Sequence, residues 1–145
     1  MIDFSGLIIL FMVAAALVGL TAIGSWVWFT VGGAISSYVK LRDLDRKPSL
    51  SMAGLFAFVI LPTPALAYIG QGNDPLTGLF LAASLLLGAV HGWLHHCSKD
   101  PQSAQSPMEQ TISIISYSLC SLLIPILFAM IPIGVIFLLI SIVTI

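Results

Sequence analysis

The chain confines its charged residues to the N-terminus and to short segments between four long uncharged runs. These runs contain no Asp, Glu, Lys or Arg and cover residues 4–39, 48–73, 75–98 and 110–145. A helix needs about 20 apolar residues to cross a bilayer, so each run is long enough for a span. Charged residues make up 8% of the chain, whereas soluble domains average about 25%. The pattern therefore predicts an all-α integral membrane protein.

We expect four transmembrane helices in a single membrane domain that covers the whole chain, residues 1–145. The expected spans cover about 7–29, 50–68, 76–94 and 112–131. A further apolar segment, 133–145, follows the last span and is short for a span of its own. We favour a single bent helix, or a span followed by an interfacial segment, over a hairpin that returns the C-terminus inward.

Prolines interrupt the second and the fourth predicted spans. Proline removes a helical hydrogen bond and crowds the preceding turn. We therefore expect spans two and four to be kinked or broken at Pro62, Pro64, Pro125 and Pro132. The carbonyl groups freed there need partners, from other helices or from nearby hydroxyl groups. Such a break indicates either a packed kink, which we favour, or a gating or substrate-binding element.

The placement of the basic residues predicts the orientation of the chain. Lys40, Arg42, Arg46 and Lys47 lie in a first loop, and Lys99 lies in a second. Basic residues beside membrane spans stay on the cytoplasmic side. We therefore expect both loops in the cytoplasm, with the turn at 70–75 and both termini outside, in the periplasm of a bacterial inner membrane. The net charge of −1 argues against a nucleic-acid partner, because phosphate binding requires clustered cations, and we expect none.

The first span carries small residues that allow another helix to approach closely. Ala15 and Gly19 form a small-xxx-small pair, and Gly24 follows them. Glycine weakens a helix, so we expect this face to pack against another membrane subunit or a second copy of the chain, with lipid around it. The aromatic residues within 26–29 indicate either an anchor near the inner interface or a lipid-facing wall.

All three histidines of the chain, His91, His95 and His96, lie in one short segment. His91 and His95 are four residues apart, so they share a helix face and are candidate metal ligands. The segment resembles one histidine box of the membrane di-iron desaturases and hydroxylases, which need several such boxes. A haem held by two histidines would need them on facing helices. We therefore predict no metal and no cofactor, and expect hydrogen-bonded histidines at the membrane interface.

The sequence offers little that could carry catalysis or coupled transport. No predicted span has a charged residue near its middle, and such residues usually mark ion paths and proton relays. Neither a Gly-x-Ser-x-Gly elbow nor a phosphate-binding loop is present in the sequence. We therefore predict that the protein is not an enzyme.

Four stretches of the first half follow one another in a set order. They are a small-residue-rich helix, a basic loop, a proline and a helix closing in Leu-Pro, at Ala14–Gly19, Val39–Asp43, Lys47–Pro48 and Ile60–Pro62. Residues 7–70 thereby resemble the small inner-membrane proteins of Dot/Icm-type (type IVB) secretion systems and conjugative transfer systems. The resemblance implies a helical hairpin within a larger assembly and brings no catalytic residue.

These observations lead to one favoured function and two alternatives. The favoured function is a non-catalytic, helix-packing subunit of a bacterial inner-membrane assembly, such as a type IV secretion or conjugation apparatus. The first alternative is a small channel, carrier or holin-like pore that uses the proline-broken spans. The second is a metal- or haem-binding redox subunit built on the histidines.

Overall fold

The computed structural model describes residues 3–99 and 106–145, and the described chain is helical with short connections. The elements in order are α1 (Phe4–Val27), a π-helical segment (Trp28–Gly32), α2 (Gly33–Asp43), α3 (Met52–Ile60), α4 (Thr63–Gly70), α5 (Pro75–Cys97) and α6 (Pro107–Thr144). Most of the loop expected between α5 and α6, residues 100–105, lies outside the described residues. The all-α fold class is confirmed.

Four helical stretches are long and apolar enough to cross a membrane, as the sequence predicts. They are Phe4–Asp43, Met52–Gly70, Pro75–Cys97 and Pro107–Thr144. The first and the last extend well beyond their predicted spans, because a helix does not have to end where the hydrocarbon ends. Lys40 and Arg42 therefore lie in the last turn of α2 instead of in a loop. Positive charge is favourable at that end of a helix dipole.

The second span consists of two helices placed end to end. Helix α3 ends at Ile60, α4 begins at Thr63, and the two residues between them form a turn. Pro62 and Pro64 both lack the N–H group that would continue the helical ladder. The Thr63 hydroxyl donates to the Val59 carbonyl at 3.5 Å. The degree of bending at this point stays a prediction.

Helix α6 runs without interruption from Pro107 to Thr144 and contains both Pro125 and Pro132. The hairpin alternative for this stretch is therefore wrong, and the single-helix alternative holds. Apolar residues such as those of 133–145 favour helical geometry when they lie in lipid, because the backbone groups must be satisfied internally. A bend at either proline stays a prediction.

The chain divides into two compact units. One unit contains residues up to 26 together with those from 123 onward, and the other contains residues 27–122. The first unit presents large apolar side chains outward, including Phe11 at 75% exposure and Phe137 at 67%. In the second unit, α5 packs against α2, α3, α4 and the π-helical segment. The expectation of a single membrane domain stays a prediction.

A glycine- and serine-rich interface joins α5 to α6 within the second unit. A Cβ added at Gly88 would lie 2.7 Å from the Tyr117 carbonyl oxygen, and one at Gly92 would lie 2.5 Å from that of Ser113. The two backbones therefore approach as closely as small residues permit. This contact fixes His91, on α5, beside Tyr117, on α6.

Serine side chains connect the same two helices by hydrogen bonds. Three hydroxyl groups on α6 donate to carbonyl oxygens on α5: Ser113 to Gly92 at 2.9 Å, Ser118 to Leu85 at 2.7 Å and Ser121 to Ser84 at 2.6 Å. All three serines are buried. In a bilayer, polar contacts of this kind hold helices together where the hydrophobic effect cannot.

A tight turn and a helix cap set the start of α5. Gly72 has a φ of +83°, a conformation that side chains disfavour. Asp74 then caps α5, because its carboxylate accepts from the Leu76 N–H at 3.1 Å, and Pro75 occupies the first turn. Gly78 lets the Ile69 side chain pack directly on the α5 backbone. Helices α4 and α5 therefore form a close hairpin.

Candidate ligand pocket at His91

A pocket of about 400 Å³ lies in the second unit, between the π-helical segment, α2, α5 and α6. Its volume is at the lower end of the range for small-molecule sites. Aromatic rings, imidazoles, one serine and two glycines form its wall: Trp28, Phe29, Gly32, Gly33, Ser36, His91, His95 and Tyr117. The described lining contains no Asp, Glu, Lys or Arg, so the wall carries no fixed charge.

The π-helical segment shapes one side of this pocket. The Gly33 N–H bonds to the carbonyls of Trp28 and Thr30. Its ordinary helical acceptor, four residues back, would be the carbonyl of Phe29. The wider turn therefore deprives the Phe29 carbonyl of its ordinary donor, the Gly33 N–H. Single π turns inside α-helices occur frequently at functional sites.

The His91 ring forms a hydrogen bond with the Phe29 backbone. His91 is buried, with 8% of its surface exposed. Gly33 makes this contact possible, because a Cβ at that position would collide with the His91 ring. The second ring nitrogen, Nδ1, is buried and has no hydrogen-bond partner among residues 3–99 and 106–145.

Three rings from three helical segments surround His91. The His91 ring centroid lies 4.6 Å from that of Tyr117, 4.8 Å from that of Phe29 and 6.4 Å from that of His95. Tyr117 also lies against His95 at 5.1 Å and stacks on Phe29 at 5.8 Å. These separations are typical of packed aromatic pairs. Phe29 therefore takes part in a protein contact, and the choice between an interface anchor and a lipid-facing wall for residues 26–29 stays a prediction.

The three histidines have different surroundings. His91 and His95 both line the pocket, as their spacing on one helix face indicates, while His96 is 1% exposed and lies outside the lining. Within the described chain, no group of three or more His, Cys, Asp or Glu side chains converges as metal ligands do. The prediction that the histidines hold no metal stays a prediction.

A second polar cluster, around the Ser49 carbonyl, was not predicted from the sequence. That oxygen accepts hydrogen bonds from the Trp93 Nε1–H at 2.9 Å, the Gln110 Nε2–H at 2.8 Å and the Cys97 thiol at 3.4 Å. Gln110 is 3% exposed, and its Oε1 accepts from the Ser51 N–H at 2.8 Å. The cluster ties the start of the second span to α5 and α6. A glutamine at the edge of an uncharged run was the available signal.

The chain matches no protein-family model, no curated protein and no solved structure. The pocket, the polar cluster and the helix faces are therefore the basis for assigning a function.

The small residues of α1 that were predicted to pack against a helix are uncovered by the described residues of their own unit, whereas a different pair of glycines is packed. A Cβ at Gly19 or Gly24 would meet nothing within 4 Å among the described residues of their own unit, and Ala15 is exposed. The packed pair is Gly88 and Gly92 on α5. Its signal is present in the sequence, since Ser84, Gly88 and Gly92 repeat at every fourth residue, the small-xxx-small spacing.

Proposed function

We propose that the chain is a non-catalytic, helix-packing subunit of a bacterial inner-membrane assembly, of the kind found in type IV secretion and conjugation machines. Four helices suited to crossing a membrane support an integral membrane protein. The resemblance of residues 7–70 to small secretion-system proteins supports the class of assembly. The partner is another membrane subunit or a second copy of the chain.

The observation that carries the proposal is the open small-residue face of α1. Where the chain places small residues four apart on α5, at Gly88 and Gly92, a neighbouring helix covers them at backbone distance. Ala15 and Gly19 have the same spacing, yet nothing described in their own unit covers Gly19. Small residues lose packing with lipid but gain it against a helix. A helix from outside the chain would account both for the small-residue spacing on α1 and for the lack of a cover within its own unit.

The ends of the helices support the proposed orientation. Arg46, in the first basic segment, donates a hydrogen bond to the backbone carbonyl of Lys99, in the second. Two segments in contact lie on the same side of a membrane, and basic segments favour the cytoplasmic side. Both termini would then be periplasmic.

We expect Gly19→Leu to weaken the assembly. The added side chain would occupy the space that a partner helix needs, and overpacking typically costs about 1–3 kcal/mol. The measurement is the mass of the complex in mild detergent, by native mass spectrometry or light scattering. Ala14→Leu is the matched control, because it adds similar bulk about 140° away from Gly19 around the same helix. An unchanged complex in Gly19→Leu would show that this face contacts lipid.

We expect cysteine accessibility to report both loops as cytoplasmic. In a Cys97→Ser, Cys120→Ser background, Asn73→Cys should react with a membrane-impermeant thiol reagent in intact cells. Leu44→Cys should react only after lysis. Both positions lie outside the helices, so neither substitution disturbs packing. Labelling of position 44 in intact cells, with protection of position 73, would show that the predicted orientation is inverted.

A further inference from the structure

We propose that the pocket at His91 binds an uncharged, hydroxylated aromatic ring, the chemistry of a membrane quinol headgroup. The pocket lies among helices suited to crossing a membrane. It combines aromatic walls with a buried hydrogen-bond acceptor that no described residue satisfies. This site is separate from the α1 face and does not depend on the proposed packing role.

The state of the His91 ring defines which hydrogen-bonding group the ligand must supply. The nitrogen that bonds the Phe29 backbone carbonyl must be the one that carries hydrogen, because a carbonyl can only accept. A neutral imidazole has one donor and one acceptor nitrogen. Nδ1, which has no partner in the described chain, is then the acceptor. The ligand must therefore present an O–H or N–H group to it.

The absence of Asp, Glu, Lys and Arg from the described lining favours a neutral ligand, because Lys40 and Lys99 act on His95 only from outside the wall. A phosphate or carboxylate group would need Lys, Arg or several N–H donors around it, and the described wall offers no such cation. A cationic ligand would need an acidic partner, which the described wall also lacks. Burying an unpaired charge is far more costly than burying a neutral group. A neutral ligand is the one that this wall accommodates.

The wall also selects a flat ligand with polar groups at its edge. Phe29 and Tyr117 stack with an interplanar angle of 14°, and Trp28 adds a third ring. Aromatic faces favour flat, apolar partners. The side chains of Ser36 and Tyr117 bring hydroxyl groups to the same wall. A ring with hydroxyl and ether oxygens on its rim matches both the faces and the hydroxyl groups.

The pocket is accessible from outside the protein. Trp28 is 68% exposed, and Ser36 is also exposed, whereas His91 lies deeper at 8%. A ring can therefore enter past Trp28. Because Nδ1 is itself buried, the ligand hydroxyl reaches it only when side chains of the pocket wall move slightly apart, while an attached tail stays in the lipid. A small phenol without a tail offers the same hydroxyl group and ring. The experiment must therefore distinguish a lipid-borne quinol from a soluble phenol.

The test compares decylubiquinol with its dimethyl ether, which keeps the ring but has lost both O–H groups. Binding is measured anaerobically by calorimetry on the full chain in nanodiscs, with empty nanodiscs subtracted. We expect the quinol to bind about tenfold more tightly than the ether, because the ether leaves the buried acceptor unpaired. In His91→Phe, which keeps the ring volume, this ratio should fall to about one.

The control variant is Tyr38→Phe, which removes an exposed hydroxyl outside the lining and should leave the tenfold ratio intact. A tail-free dimethoxymethylhydroquinone that shows the same dependence on His91 would support the site and indicate a soluble phenol as its source. Weaker binding of the tail-free ring would support the site and indicate a lipid-borne quinol. Equal affinity for quinol and ether in the unmodified protein, an unchanged ratio in His91→Phe, or no binding of either compound would overturn the proposal.

Discussion

Replacement of Gly88 by valine is expected to separate α5 from α6. A Cβ at this position would lie 2.7 Å from the Tyr117 carbonyl oxygen and 2.8 Å from the Ser118 Cα. Both are backbone atoms, so no rotamer change can relieve the collision. Overpacking typically costs 1–3 kcal/mol, and we expect about 3 kcal/mol here because the helices must move apart. The Ser118 and Ser121 hydrogen bonds across the interface would be lost with it.

The measurement is thermal unfolding in detergent, followed by circular dichroism or by dye binding. We expect the midpoint to fall by about 10 °C. Gly134→Val is the matched control, because it adds the same side chain to a helix interior where nothing described in its own unit lies within 4 Å. Equal midpoints for the two variants would mean that α5 and α6 do not pack as described.

Replacement of Gln110 by leucine should destabilise the polar cluster at Ser49. Leucine has a similar volume but cannot accept the hydrogen bond of the Ser51 N–H, which Gln110 Oε1 receives at 2.8 Å. The Ser51 N–H is partly buried, and a fully buried donor left unpaired costs about 1–3 kcal/mol. We expect Gln110→Leu to destabilise the cluster by about 2 kcal/mol. Cys97 is 5% exposed and lies beside Gln110, so its thiol should become accessible to reagents more often.

Thiol reactivity measures this opening directly. In a Cys120→Ser background, Cys97 is the sole thiol, and a membrane-permeant maleimide should modify it roughly thirtyfold faster in Gln110→Leu if opening precedes reaction. Gln71→Leu, in the exposed turn after α4, is the matched control and should leave the rate unchanged. A Cys97 rate that does not respond to Gln110→Leu would show that the cluster contributes nothing to closing this region.

Charge spacing predicted the membrane helices because the cost of burying a charge in lipid is large and local. The four uncharged runs correspond to the four helical stretches of the structure. Helix ends were less predictable, because Lys40 and Arg42 can leave the hydrocarbon while their backbone stays helical. The continuous α6 follows the same logic, since apolar residues in lipid must satisfy their own backbone groups.

The pocket was only partly predictable. The spacing of His91 and His95 correctly placed both side chains on one face, and both line the pocket. Tyr117 and Phe29 come from other helices, so their approach depends on packing that periodicity does not report. The π turn depends on a single extra residue between α1 and α2, and no propensity rule identifies it from Trp28–Gly32.

The packing glycines illustrate a different limit. Ala15 and Gly19 on the first span were selected by the small-xxx-small rule, which Gly88 and Gly92 satisfy equally well. The rule identifies faces that can pack but not which faces do so within one chain. That choice depends on the partner surface, here the serines at 113, 118 and 121 on α6, whose hydroxyls reach α5 carbonyls.

The central position of α5 has a consequence for the order in which the protein is made. Chains emerge from the ribosome with the N-terminus first, so α1 to α4 enter the membrane before α5 does. Until then, Gly33 on α2 lacks the His91 ring, and Ile69 on α4 lacks the backbone of Gly78. Until α5 inserts, the first two spans lie in the bilayer without the α5 contacts at Gly33 and Ile69. A released chain truncated after residue 74 would consequently present the faces at those two positions to chaperones and membrane proteases.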